Sequence, residues 1–181
     1  MMTTLNGGSF EKITSIEKKL LDNNFSKNII NKNKYGYYFE LIKENKKIIY
    51  FTQSGCKLYF KKEFNIDVYK HPDEAFLIIE NNTFHLKILE KKNQNGDGSV
   101  EDKLKTGAFN KKEYSKMLSE NNKYKFTISY AFCVSKFLQN KFESKQIKYK
   151  IIKEIMDEDD IKIFYGEDEK YFDILFNWIM I

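Results

Sequence analysis

Asp73, Glu90 and Lys92 are the residues whose types and spacing can do chemistry together. They lie within HPDEAFLIIENNTFHLKILEKKNQ, residues 71–94, where two runs with strand-like alternation, 73–80 and 83–92, flank the turn signal Asn81-Asn82. A two-residue loop there pairs Glu80 with Thr83, and counting back along both runs sets Asp73 directly opposite Glu90. Opposed side chains share a face, with Cβ atoms about 4.5–5.5 Å apart. Alternation then puts Lys92 on the face of Glu90, about 7 Å further along the strand. Two carboxylates and an ammonium group gather at one end of a hairpin. Like charges placed opposite one another repel, so the arrangement needs a cause, and a bound divalent metal is the obvious one.

The elements that must position this cluster follow from periodicity. Phe84, Leu86 and Ile88 precede Glu90 and Lys92 on one face, so an apolar face runs out into charge at the strand end, while His85, Lys87, Leu89 and Lys91 form the other face. Pro72, the chain's only proline, marks where the first strand begins. Upstream, residues 1–9 read as a loose tail. Phe10, Ile13, Ile16, Leu20, Leu21 and Phe25 then recur at helical spacing, with Ser9 as a candidate cap. Glu17 falls inside that apolar stripe, where an unpartnered carboxylate is costly to bury, so it is expected to meet a cation, a metal-bound water or a hydrogen-bond donor. Residues 26–34 are polar and read as a loop; strands are expected over 37–43, 47–52 and 57–61.

Beyond Lys92, Ser99 opens a helix with a cap to Asp102, and Asn110 to Glu113 forms a second cap-like start. These helices display Lys103, Lys105, Lys111, Lys112 and Lys116, positions suited to phosphates. Residues 126–134 read as a buried strand, 139–156 as an amphipathic helix anchored by Phe142, Ile147, Ile151, Ile152 and Ile155, 161–165 as a short strand, and 171–181 as an apolar helix. The order suggests an α/β chain with a central mixed β-sheet flanked by helices, a single domain over residues 10–181.

Composition narrows the classes. With 41% hydrophobic and 16% aromatic residues the chain is too apolar to be disordered, and no run approaches the length of a membrane span. No signal-peptide pattern opens it, and Cys56 and Cys133 read as buried thiols in a reducing, intracellular setting, cytoplasmic or nucleoid-associated. The net charge of +5 conceals a basic body and an acidic C-terminal end, and the basic body favours a polyanion partner. All 31 basic residues are lysine, so the bidentate arginine contact to guanine is not available to it. No Cys/His spacing supports zinc, and no Gly-Lys-Ser/Thr follows the glycines.

On these residues, PDEAF, twelve residues, then LEKK, the chain resembles the PD-(D/E)XK nuclease superfamily, type II restriction endonucleases in particular. Pro72-Asp73 stands in the place of the PD, and Glu90-Lys91-Lys92 is the E-x-K. Gln94 matches a site glutamine of many members, and Glu17 matches the first-helix acid of a subset. The resemblance implies a restriction endonuclease-like fold and Mg²⁺-dependent hydrolysis of phosphodiester bonds in double-stranded DNA, with Mn²⁺ able to substitute. It implies Asp73 and Glu90 as metal ligands, Lys92 as the residue that orients or deprotonates the attacking water, and Glu17 and Gln94 as supports. Lys91, Ser99, Lys103, Lys105, Lys111 and Lys112 are the expected DNA contacts, and a homodimer is expected because cutting both strands takes two sites. His85 lies on the face opposite Glu90 and reads as structural; His71 lies near the site's edge. Alternatives are a Holliday-junction or repair nuclease, or a non-catalytic nucleic-acid-binding or assembly module on the same fold.

Overall fold

In the computed structural model, which describes residues 7–23, 26–33, 36–43, 46–94, 100–120 and 123–181, seven strands form one sheet. The strands are β1 (Ser26–Asn33), β2 (Gly36–Lys43), β3 (Lys46–Gln53), β4 (Glu74–Glu80), β5 (Thr83–Lys92), β6 (Phe126–Val134) and β7 (Ile161–Tyr165), and they lie in the sheet in chain order. Neighbours from β1 to β5 are antiparallel; β5, β6 and β7 run parallel. Parallel neighbours need crossovers. These are supplied by α4 (Val100–Lys105) with α5 (Gly107–Ser119), and by α6 (Lys136–Phe142) with α7 (Ile147–Glu158). The chain is therefore an α/β protein whose mixed sheet is flanked by helices.

Alternation along the strands divides the core into two layers. On one face Ala75, Leu77, Leu86, Ile88 and Phe132 pack under α3 (Ser54–Phe64) and the four crossover helices. On the other, Phe76, Ile78, Leu89 and Cys133 pack under α1 (Gly7–Ile13), α2 (Glu17–Asp22) and α8 (Tyr171–Met180). Cys56 and Cys133 are both free and buried. Among the described residues no helix is long and apolar enough to cross a membrane.

Five expectations are corrected. Residues 26–33 form an edge strand paired with β2, because the backbone ladder accepts Asn and Lys as readily as apolar residues at a sheet edge. Residues 57–61 lie within α3, whose buried Cys56, Tyr59, Phe60 and Phe64 repeat at helical spacing. Its second residue must be glycine, since a Cβ on Gly55 would sit 2.0 Å from the Tyr37 carbonyl oxygen. The first helix does not continue from Phe10 to Phe25: α1 ends at Ile13, where the Thr14 hydroxyl turns back to the Phe10 carbonyl at 2.7 Å, and α2 begins at Glu17. Ser9 lies inside α1 and Asn110 inside α5, so neither caps a helix, and the Ser99 cap lies outside the described residues. The span 139–156 is likewise two helices. Of its expected anchors only Phe142 and Ile152 are buried; Ile147, Ile151 and Ile155 are exposed.

Candidate metal and phosphodiester site

The β4–β5 hairpin has the two-residue loop expected of it. Asn81 and Asn82 both take positive φ, 50° and 60°, the requirement of a turn whose twist matches that of its strands. Glu80 pairs with Thr83, and the register runs without a slip to Glu74 opposite Leu89. One step further, Asp73 leaves the ladder but keeps the register through its side chain: its Oδ2 accepts the Lys91 backbone N–H at 2.7 Å. The carboxylate therefore lies against the Glu90–Lys91 peptide. On the same face, the Lys92 ammonium meets Glu90 Oε2 at 2.9 Å, each side chain 19% exposed. Asp73, Glu90 and Lys92 thus gather at the end of the hairpin, half-buried.

The electrostatics carry the signature of opposed acids. Burial, and then the Asp73 carboxylate, push the Glu90 carboxyl above its ordinary range, while Lys92 and the more distant Lys70 pull it back. Asp73 Oδ1 and Glu90 Oε1 accept no hydrogen bond among the described residues. Two carboxylates, each with an uncommitted oxygen, fit a hard divalent cation of the Mg²⁺ type, which takes one or two carboxylates and keeps several waters. Among the described residues no group of three or more His, Cys, Asp or Glu is placed to hold a metal by itself, so water or substrate oxygens would have to complete the shell.

Glu11, on α1, is near enough to Asp73 for the two charges to act on each other, although it forms no three-acid group with Asp73 and Glu90. Glu11 has its carboxyl pushed up by burial and by Asp73, with Lys91 and Lys92 opposing. Glu17, the expected helix acid, meets one of the partners expected of it, a hydrogen-bond donor, by accepting the Tyr37 hydroxyl at 2.8 Å. The break after Ile13 makes Glu17 the first residue of a separate helix. Periodicity across 10–25 assumed one helix and could not single out Glu11.

Lys91 is also relocated. Its side chain points through to the other face, 2% exposed, where it pairs with Glu74 Oε1 at 3.3 Å and donates to the Glu11 backbone carbonyl at 2.9 Å. Alternation forces this, since Lys91 and Glu74 are each one residue out of phase with the site. The ion pair joins β5 to β4, the hydrogen bond ties α1 to β5, and a side chain this deeply buried is not placed to meet DNA. The Tyr50 hydroxyl adds a hydrogen bond to Glu74 Oε1. Gln94 is buried, its N–H donating to Ser135 Oγ at 3.2 Å and its carbonyl accepting from the same hydroxyl at 2.8 Å. That clamp joins the ends of β5 and β6 beside the site.

The remaining lysines separate. Lys103 and Lys112 are exposed. Lys105 pairs with Asp102 at 2.9 Å, and Lys111 donates to the Asp159 and Asp160 carbonyls at 2.9 and 3.2 Å. Ser99 and the 95–99 loop lie outside the described residues. Lys70, not singled out by spacing, donates to Asn110 Oδ1 at 2.9 Å, pairs with Glu113, and is close enough to affect Glu90. Asn110 also donates to the Tyr130 hydroxyl at 3.1 Å, and burial together with Glu90 raises the pKa of that tyrosine. The only forward signal for Lys70 was its place three residues before Asp73. His71 is exposed. His85 lies on the far face with Ser129 Oγ at 2.8 Å, and burial pushes its imidazole down to about 4.

Comparison with known proteins returns nothing: no family model matches the chain, and neither does any curated protein or solved structure.

Proposed function

We propose that this chain is a metal-dependent endonuclease of the PD-(D/E)XK kind, hydrolysing phosphodiester bonds in duplex DNA as a restriction-type enzyme. The observation that carries the reading is the hairpin register, which sets the Asp73 carboxylate against the Glu90–Lys91 peptide with Lys92 on the same face. A restriction endonuclease-like arrangement of the sheet is part of the same proposal.

Asp73 and Glu90 would hold Mg²⁺ or Mn²⁺. The chemistry such a cation supplies is a more acidic water and neutralised charge on the phosphate. The chain's own residues do the rest. Lys92, kept in place by Glu90 Oε2, sits where it can orient the attacking water and offset charge developing on the phosphate oxygens. Glu11 would add negative charge near Asp73. Exposed Lys103 and Lys112 supply phosphate-neutralising charge from the crossover helices.

The test is incubation of the protein with mixed-sequence duplex DNA, with and without Mg²⁺. Discrete fragments that need the metal support restriction-type cleavage, and a smear indicates a nonspecific nuclease. Preferential cutting of branched over linear duplex moves the reading to junction resolution. Binding without any cutting assigns the chain to the non-catalytic members of the fold.

A further inference from the structure

The outer face of α7 is apolar where it meets solvent. Ile147, Ile151 and Ile155 follow one another at four-residue spacing, so they form one line along the helix, and they are 74%, 47% and 52% exposed. Tyr149, Ile152 and Met156 already supply the buried stripe of the same helix. Among the described residues no other element leaves three large apolar side chains exposed. Beside the line runs a groove of about 430 Å³, lined by Leu104, Ala108, Ile151, Ile152, Ile155 and Ile161 among others.

The charges on this helix are segregated in the unfavourable sense. Lys148 and Lys150 lie on its N-terminal half, with Lys145 just before it, and Glu154, Asp157 and Glu158 lie on its C-terminal half beside a single lysine, Lys153, all exposed. A helix by itself prefers acids at the N-terminus and bases at the C-terminus, because of its dipole. Within the chain, Asp160 just beyond the acidic end has Lys111 and Lys162 at 3.6 and 3.1 Å, and Lys150 reaches Glu154 only at 3.7 Å. What a basic-then-acidic helix does fit is its own antiparallel copy.

We propose that this face binds a second copy of the same chain, with the two α7 helices antiparallel about a two-fold axis at Ile151. Ile147 of each copy then lies level with Ile155 of the other, and the Lys148/Lys150 end of one lies alongside the Glu154/Asp157 end of the other. The contact is isologous, so it closes at two copies and does not propagate. Each copy covers the other's isoleucine line, which removes an apolar surface that a monomer would leave in water. This inference does not rest on the nuclease reading; it supplies the two-copy stoichiometry that reading expects.

Sedimentation equilibrium of the full chain tests it. The expected mass is twice 21.7 kDa. Ile151→Lys, at an exposed position, should stay folded by circular dichroism and sediment as a monomer. Lys150→Glu should weaken the dimer by about tenfold or more through juxtaposed like charges, and adding Glu154→Lys in the same chain should restore it. A monomeric wild-type chain overturns the proposal, as does a dimer indifferent to Ile151→Lys or a charge swap that fails to restore association.

Discussion

Two acid–lysine pairs sit back to back at the end of the β4–β5 hairpin, one residue out of phase. Glu74 and Lys91 face α1, sealed at 3% and 2% exposure. Glu90 and Lys92 face the other way at 19% each, with Asp73 opposed to them. The residue types are the same and the strands are the same; only the parity differs. The inner pair sets one acid against one lysine, with Glu74 Oε1 taken by Tyr50 and Lys91, Lys91 also held by the Glu11 carbonyl, and Glu74 Oε2 buried without a partner among the described residues. The outer set carries two acids to one close lysine and leaves carboxylate oxygens uncommitted. A matched, sealed pair serves the fold, whereas an excess of acid open to solvent is the arrangement the proposed metal site needs.

Mutating the inner pair should give the largest effect on stability. Lys91→Met leaves a buried carboxylate without its cation and should cost about 3–5 kcal/mol in urea unfolding. Combining it with Glu74→Leu removes both charges, and the double variant should unfold closer to wild type than either single one. The outer pair should behave in the opposite way. Lys92→Met, half-exposed, should shift the urea midpoint little while abolishing metal-dependent cleavage.

A smaller effect sharpens the contrast on the acid side. Asp73→Asn keeps an oxygen for the Lys91 N–H but removes the charge facing Glu90, so the Glu90 carboxyl should titrate lower in ¹³C NMR, still above its ordinary value because burial remains. The sign for stability follows. A carboxyl raised in the fold binds more protons there than in the unfolded chain, so stability falls as pH rises from the unfolded value towards the folded one. Mg²⁺ at ten times its dissociation constant should add about 1.4 kcal/mol to wild-type stability, an increment absent from Asp73→Asn.

The comparison itself was partly legible in the amino-acid order. Asn-Asn between two alternating runs specifies a two-residue turn, and parity then separates Asp73, Glu90 and Lys92 from Glu74 and Lys91. The same parity argued against Lys91 as a DNA contact, although the E-x-K resemblance drew it into that role. Glu11 was not legible, because Phe10, Ile13 and Ile16 keep helical spacing across a break made by Thr14 bonding back to Phe10. β1 was hidden by its composition, since an edge strand is held by backbone pairing to β2 and needs no apolar face. α3 was hidden by the opposite property: its Leu58, Tyr59 and Phe60 have strand-like composition, and only packing at Cys56, Tyr59, Phe60 and Phe64 reveals the helix.

The smallest expected effect lies elsewhere on the inner face. Burial, with Lys46 adding to it, pushes the Lys87 amine down to about 8. Its folded pKa is below the unfolded one near 10.5, so the unfolded chain binds more protons between those values and stability should rise with pH across that window. Lys87→Met should flatten that rise in thermal melts.

The most direct test of the central claim is Mg²⁺-dependent cleavage of duplex DNA by wild type and Lys92→Ala side by side, at matched fold content. The account predicts cleavage by the wild type and a loss of at least about 10²-fold in the variant. Undiminished cleavage by Lys92→Ala would contradict it.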